Sequence, residues 1–130
     1  MMILTALVCL CTLSPLERAV WHVETSSVNG PTVGDGGAAL GPLQIHRGCW
    51  KDATEYDPAI GGRYEDVADI EYAVKIFRAY TARYATARRL GRTPTDTDRA
   101  RIWNGGPNGY KKKATLGYAE KVRRHLKENS

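Results

Sequence analysis

The feature that most constrains this chain is a glycine-rich stretch, residues 32–45, set between segments that pattern as helices. Glycine and proline are poor helix formers, and Gly34-Asp35-Gly36-Gly37 is a dense turn signal flanked by short runs able to pair. A small β-hairpin is therefore expected inside an otherwise helical chain. Upstream, Ser14-Pro15-Leu16-Glu17 marks a helix start: a capping serine, a proline at the first helical position, and a glutamate completing a capping box. Leu16, Ala19, Val20 and Val23 continue it as an apolar stripe at helical spacing, and Glu24 falls near its end. Thr25-Ser26-Ser27 and Asn29-Gly30-Pro31 break it.

After the hairpin, the pattern predicts a helix over residues 46–56 and a loop through Pro58 and Gly61-Gly62. The longest helix is expected over 69–90, with Ile70, Ala73, Val74, Phe77 and Tyr84 buried and Arg78, Arg83, Arg88 and Arg89 facing outward or flanking. A short helix over 95–103, a loop from Asn104 to Gly109, and a last helix over 115–127 complete the reading. The fold class is α+β, mainly α, with the hairpin inserted after the first helix.

Residues 14–130 read as one domain, since 130 residues leave little room for two. Residues 1–13 are almost wholly apolar and too short to span a bilayer stably. They read as an export signal or its remnant, although no Lys or Arg precedes them; the alternative is a buried first helix. The three cysteines, Cys9, Cys11 and Cys49, form no disulfide framework and no zinc-ligand spacing, so stability must come from packing. Cys49 reads as a small buried hydrophobe.

Two carboxylates stand out chemically. Glycoside hydrolysis needs a carboxylic acid that stays protonated, and commonly a second, ionised carboxylate across the scissile bond. Glu24 follows Val20, Trp21 and Val23 and can lie against the core, whereas Asp35 sits in a wet glycine turn. Taken alone, the pair also fits a surface glutamate and an ordinary turn aspartate. His22, His46 and His125 lie in separate segments without ligand-like spacing and read as solvated or core-edge residues, and His22 is not expected to pair with Glu24. Gly105-Gly106-Pro107-Asn108-Gly109 lacks the phosphate-loop pattern and reads as a tight loop presenting backbone. The net charge of +5, concentrated from Lys111 onward, suits an anionic polymer without choosing which. Trp21, Trp50 and Trp103 divide between core and sugar platform.

The wider pattern is more specific. Val23-Glu24-Thr25-Ser26, Gly34-Asp35-Gly36, Gly41-Pro42-Leu43-Gln44-Ile45, Trp50-Lys51-Asp52, Tyr80-Thr81-Ala82-Arg83-Tyr84 and the run from Ala100 through Trp103-Asn104-Gly105-Gly106-Pro107-Asn108-Gly109 occur in that order. With Lys112, Thr115, Leu116-Gly117-Tyr118 and Lys121-Val122, the chain resembles the invertebrate-type (destabilase-like) lysozymes over residues 16–126. The glutamate-then-Gln-Ile order is shared more loosely with goose-type lysozymes and lytic transglycosylases. The resemblance implies a lysozyme-like fold and cleavage of the β-1,4 bond between N-acetylmuramic acid and N-acetylglucosamine. It places the general acid on Glu24 and the second catalytic carboxylate on Asp35, with Gln44, Trp50, Trp103, Asn104 and Gly105 lining or bracing the cleft.

It further implies bacterial peptidoglycan as substrate, chitin oligosaccharides as a related one, and a secreted or periplasmic, antimicrobial monomer. No metal, organic cofactor, nucleic acid or stable membrane insertion is implied. Three departures stand against the animal members: few cysteines, Trp103 where a histidine is common, and a hairpin one residue shorter between Asp35 and Gln44. The isopeptidase activity claimed for some members is not carried over. A lytic transglycosylase using Glu24 alone, and a non-catalytic wall- or chitin-binding module, are the competing readings.

Overall fold

The computed structural model describes residues 12–130. Helix α1 (Pro15–Thr25) begins at the expected cap: Ser14 Oγ accepts the Glu17 N–H at 3.1 Å, and the Glu17 carboxylate accepts the Ser14 N–H at 2.9 Å. Two of the N–H groups that a helix start leaves free are thereby satisfied. The helix buries Leu16, Ala19 and Val20, and with them Glu17, which is only 5% exposed. A buried carboxylate needs a partner. Arg78 supplies one as a two-pronged clamp, Nε to Oε2 at 2.8 Å and Nη2 to Oε1 at 2.9 Å. Arg78 is exposed, as expected of a residue facing outward or flanking the buried stripe, and its guanidinium reaches the core charge from that edge.

The glycine-rich stretch forms three short antiparallel strands rather than a two-strand hairpin. They are β1 (Val33–Gly34), β2 (Ala39–Leu40) and β3 (Ile45–His46), in spatial order β1-β2-β3. Leu40 lies opposite both Val33 and Ile45. The turn between β2 and β3 needs glycine at position 41: its φ is +84°, and a Cβ there would stand 2.1 Å from the Val67 carbonyl oxygen. At the far end of that turn Gln44 takes φ +52°, held by Nε2 donating to the carbonyls of Thr32 at 3.1 Å and Gly41 at 3.0 Å. Tyr64 Oη donates to the Ile45 carbonyl at 2.6 Å and ties the sheet to the helices.

Helix α2 (Arg47–Tyr56) and two 3₁₀ turns lead to α3 (Ile70–Tyr84), whose Ile70, Ala73, Val74, Ile76, Phe77, Ala79 and Tyr80 make one wall of the core. The long helix expected over 69–90 breaks at Ala85-Thr86, and a short α4 (Ala87–Leu90) follows. The cause is local capping. Thr86 accepts the Arg89 N–H through its side chain at 3.2 Å, and Arg89 Nη1 donates to the carbonyl of Tyr84 at 2.7 Å. Such side-chain bonds offer the backbone an alternative to continuing the helix.

Helix α5 (Asp96–Gly105) runs past the expected end and carries Asn104 and Gly105 on its last turn. It opens with a Thr95–Asp98 capping box, and the Arg92 guanidinium holds the Asp98 carboxyl down at about 2. Helix α6 (Leu116–Glu128) packs along α1 and α5. Among the described residues, no helix is long and apolar enough to cross a membrane. The leader expectation lies outside the described residues apart from Thr12 and Leu13, of which Leu13 joins the core.

Candidate active site

Glu24 stands on the last turn of α1, and the chain leaves that helix through an over-determined corner. Ser26 and Ser27 both adopt left-handed φ values, 56° and 62°, which non-glycine residues hold only under constraint. Thr25 Oγ1 donates to the Pro42 carbonyl at 2.9 Å and joins the helix end to the β2–β3 turn. Trp21 Nε1 donates to the Val28 carbonyl at 2.9 Å and closes the corner. The acid is thus fixed relative to the sheet that carries Asp35.

The surroundings of Glu24 favour its protonated form. Burial pushes its carboxyl up from 4.5 to about 7. The Tyr118 hydroxyl, donating to Oε2 at 2.9 Å from α6, pulls the other way, and the nearby charge of Asp35 raises the value further. A hydrogen bond from Trp103 and the charge of His46 lower it again. Burial wins. Tyr118 itself is driven well above its ordinary range by burial and by Glu24, so it remains a donor.

Asp35 opens the 3₁₀ turn between β1 and β2 with φ +50°. Its side chain is 70% exposed, and His46 Nε2 lies 2.9 Å from its Oδ2. The half-buried acid and the exposed carboxylate are therefore in different environments, yet near enough for one charge to act on the other.

A cavity of about 500 Å³ is lined by Gln44, His46, Asp52, Tyr80, Trp103 and Asn104, among others. Neither carboxylate lines it directly; His46, the partner of Asp35, and Trp103, a partner of Glu24, do. Comparable hollows of about 430, 540 and 400 Å³ lie at the Glu17–Arg78 pair, beside Asp69 and beside Ile60, and none includes Glu24 or its partners.

The structure brings most of the residues singled out in the sequence to this place. Trp103 packs edge-on to Phe77 and Tyr80, with ring centroids 4.9 and 5.7 Å away. Asn104 is exposed at the rim. Gln44 both lines the cavity and braces the sheet. Gly105 lies behind the rim, where a Cβ would meet Thr115 Cγ2 at 2.4 Å, and its carbonyl accepts Lys112 Nζ at 2.7 Å. Trp50 is not brought together with them: its indole donates to Tyr72 Oη at 2.9 Å and meets Tyr64 edge-on.

Two residues escaped the sequence reading as parts of the site. His46 stands two residues past Gln44, at the end of a strand too short to show alternation, so its place in the site had no local signal. Tyr118 lies 94 residues from Glu24 and had no local signal beyond its place in a motif. His22 turns away from Glu24 and stacks on His125 at 4.5 Å. Burial pushes the Cys49 thiol far up, which suits an inert residue. Among the described residues, no three His, Cys, Asp or Glu side chains are grouped to hold a metal ion.

One variant isolates the opposing forces on Glu24. Tyr118→Phe removes a hydrogen bond to the charged form and leaves the burial. The Glu24 carboxyl is expected to titrate about one pH unit higher, as read by ¹³C NMR of the labelled side chain. An unchanged midpoint would mean that the hydroxyl does not act on the acid.

No protein-family model matches this sequence, and no curated protein does either. Solved structures do share its fold. A chain in the crystal structure of Aeromonas hydrophila PliI in complex with Meretrix lusoria lysozyme is 26% identical with a TM-score of 0.72. Tapes japonica lysozyme is 24% identical with a TM-score of 0.70. The inhibitor-bound lysozyme from Meretrix lusoria is 25% identical, also at 0.70. Each likeness covers 85% of this chain and 88% of the other.

Proposed function

We propose that this chain, a lysozyme-like protein built like the invertebrate-type lysozymes, hydrolyses the β-1,4 bond between N-acetylmuramic acid and N-acetylglucosamine in bacterial peptidoglycan. Glu24 is the general acid and Asp35 the second carboxylate. The observation that carries the reading is the carboxyl of Glu24, raised to about 7 beside a cavity that can seat a sugar ring. A carboxylic acid still protonated near neutrality is what departure of a sugar oxygen requires.

Glu24 donates its proton to the glycosidic oxygen as the bond breaks. Positive charge then builds at the anomeric carbon and ring oxygen, and the ionised Asp35 offsets it. Asp35 next attacks that carbon, or steadies it while water adds. A carboxyl separation of about 5–5.5 Å with glycan bound marks retention through attack, and about 6.5–9.5 Å marks inversion. Trp103 offers an apolar indole surface to a sugar ring, and Asn104 a carboxamide for an N-acetyl or hydroxyl group. The net charge of +5 draws the protein to anionic wall polymer. Such a substrate lies outside the cytoplasm, so the site of action is secreted or periplasmic, and chitin oligosaccharides fit the same chemistry.

The exposure of Asp35 favours one second reading, a lytic transglycosylase that needs Glu24 alone. Mass spectrometry of digested wall separates the two. Reducing muramic ends, with turnover about a hundredfold lower in Asp35→Asn, support hydrolysis. Anhydro-sugar ends with Asp35→Asn fully active support the transglycosylase.

A further inference from the structure

His46 ends β3, and its ring crosses the small sheet to the glycine turn, where Nε2 meets Asp35 Oδ2 at 2.9 Å. Packing does not explain it, because the His46 side chain is 52% exposed. Helix capping does not explain it either. His46 occupies the position before α2, yet its side chain makes no cap hydrogen bond. Asp35, for its part, needs a tether. It is exposed, held at positive φ, and followed by Gly36 and Gly37, around which space is open. A carboxylate on such a turn keeps one rotamer only if something holds it.

We infer that His46 is a positioning residue for the second carboxylate, pinning Asp35 from β3, two residues past Gln44. This rests on the assignment of Glu24 and Asp35 given above. The neighbouring charges are otherwise engaged. Arg47 leans over the Tyr64 ring and faces Glu65 at 3.8 Å. Asp52, in the same cavity, accepts from Tyr84 Oη at 3.0 Å and has Arg83 beside it. Glu24 is faced by Asp35 and His46 from the sheet, Trp103 from α5 and Tyr118 from α6.

That arrangement gives the inference a signature with two signs. When protonated, His46 favours the ionised form of Glu24, and the charge of Asp35 disfavours it. Removing the histidine's charge should let Glu24 hold its proton to higher pH. Removing the aspartate's should make it release the proton at lower pH. A merely structural disturbance has no reason to move one variant up and the other down.

The test compares His46→Ala, His46→Gln, His46→Lys and Asp35→Asn with the parent, by steady-state kinetics on soluble peptidoglycan fragments and by ¹³C titration of Glu24. His46→Ala should lower kcat about tenfold with KM within about twofold, and His46→Lys, which restores a cationic donor, should recover most of that loss. His46→Gln keeps a donor without charge, so Glu24 should titrate higher, while in Asp35→Asn it should titrate lower. Unchanged kcat in His46→Ala together with an unmoved Glu24 midpoint in His46→Gln would overturn the inference. If those results appear while Glu24→Gln is inactive, only the role of His46 fails. A fully active Glu24→Gln overturns the acid assignment instead. The titration needs no turnover, so it decides the coupling even for a variant too slow to assay.

Discussion

Glu24→Gln is expected to reduce peptidoglycan cleavage by about a thousandfold or more, the scale on which a positioned general acid contributes. Glutamine has the same shape, and its carbonyl can still accept from Tyr118, so the fold should survive. Only the transferable proton is lost. The same variant carries a second, independent expectation. The Glu24 carboxyl is raised by folding from 4.5 to about 7, so the stability it contributes is complete below about pH 4.5 and lost as pH rises through about 7. Glutamine undergoes no such loss. The variant should therefore match the parent near pH 4 and exceed it above pH 7, by up to about 3 kcal/mol. Thermal denaturation across that range reads the difference. An inactive variant that is more stable only at high pH ties activity to a desolvated acid, which an inactive and destabilised variant would not.

The second large effect concerns the scaffold. Arg78→Met leaves Glu17 buried without its guanidinium and should cost about 3 kcal/mol, the lower end for breaking a buried pair, because Arg78 is itself half exposed. The pH dependence gives this away. In the parent, Arg78 and Ser14 outweigh burial and hold the Glu17 carboxyl below its ordinary value, so its contribution is full above about 4.5 and lost as pH falls. Without Arg78, burial dominates and the carboxyl rises. Its stabilising form is then the protonated one, lost as pH increases. The destabilisation should accordingly be largest near neutrality and shrink toward pH 4. Adding Glu17→Gln to Arg78→Met removes the stranded charge while keeping an acceptor for the Ser14 N–H, and should recover most of the loss. Chemical denaturation at two pH values checks both claims.

What could be read in the sequence was what local chemistry decides. The Ser14–Glu17 box starts α1, and Glu24 falls near its end, because capping and apolar spacing act within a few residues. The glycines at positions 34–37 announce a turn on the same grounds. A third strand of two residues was not legible, since Ile45–His46 is too short to show a period and its partner Ala39–Leu40 lies across a turn. The break at Ala85-Thr86 was hidden for another reason. Helix-forming residues continue on both sides, and only the competing bonds of Thr86 and Arg89 end α3.

The candidate site divides the same way. Glu24 and Asp35 were chosen by chemical type and by resemblance to a family. Burial raises Glu24, and the hydrogen bonds of Tyr118 and Trp103 that oppose it depend on α5 and α6 folding back onto α1. No spacing rule reaches over 94 residues. Trp50 shows the converse limit: residue type and motif position nominated it for the cleft, and its indole N–H donates to Tyr72.

The central claim is that burial favours the protonated form of one acid while its partner carboxylate stands exposed beside it. Direct titration of the Glu24 side-chain carboxyl in the unliganded protein, by ¹³C NMR, tests it without reference to substrate. A midpoint near 7 is the predicted result, and a midpoint near 4.5, the value of an ordinary glutamate, would contradict it.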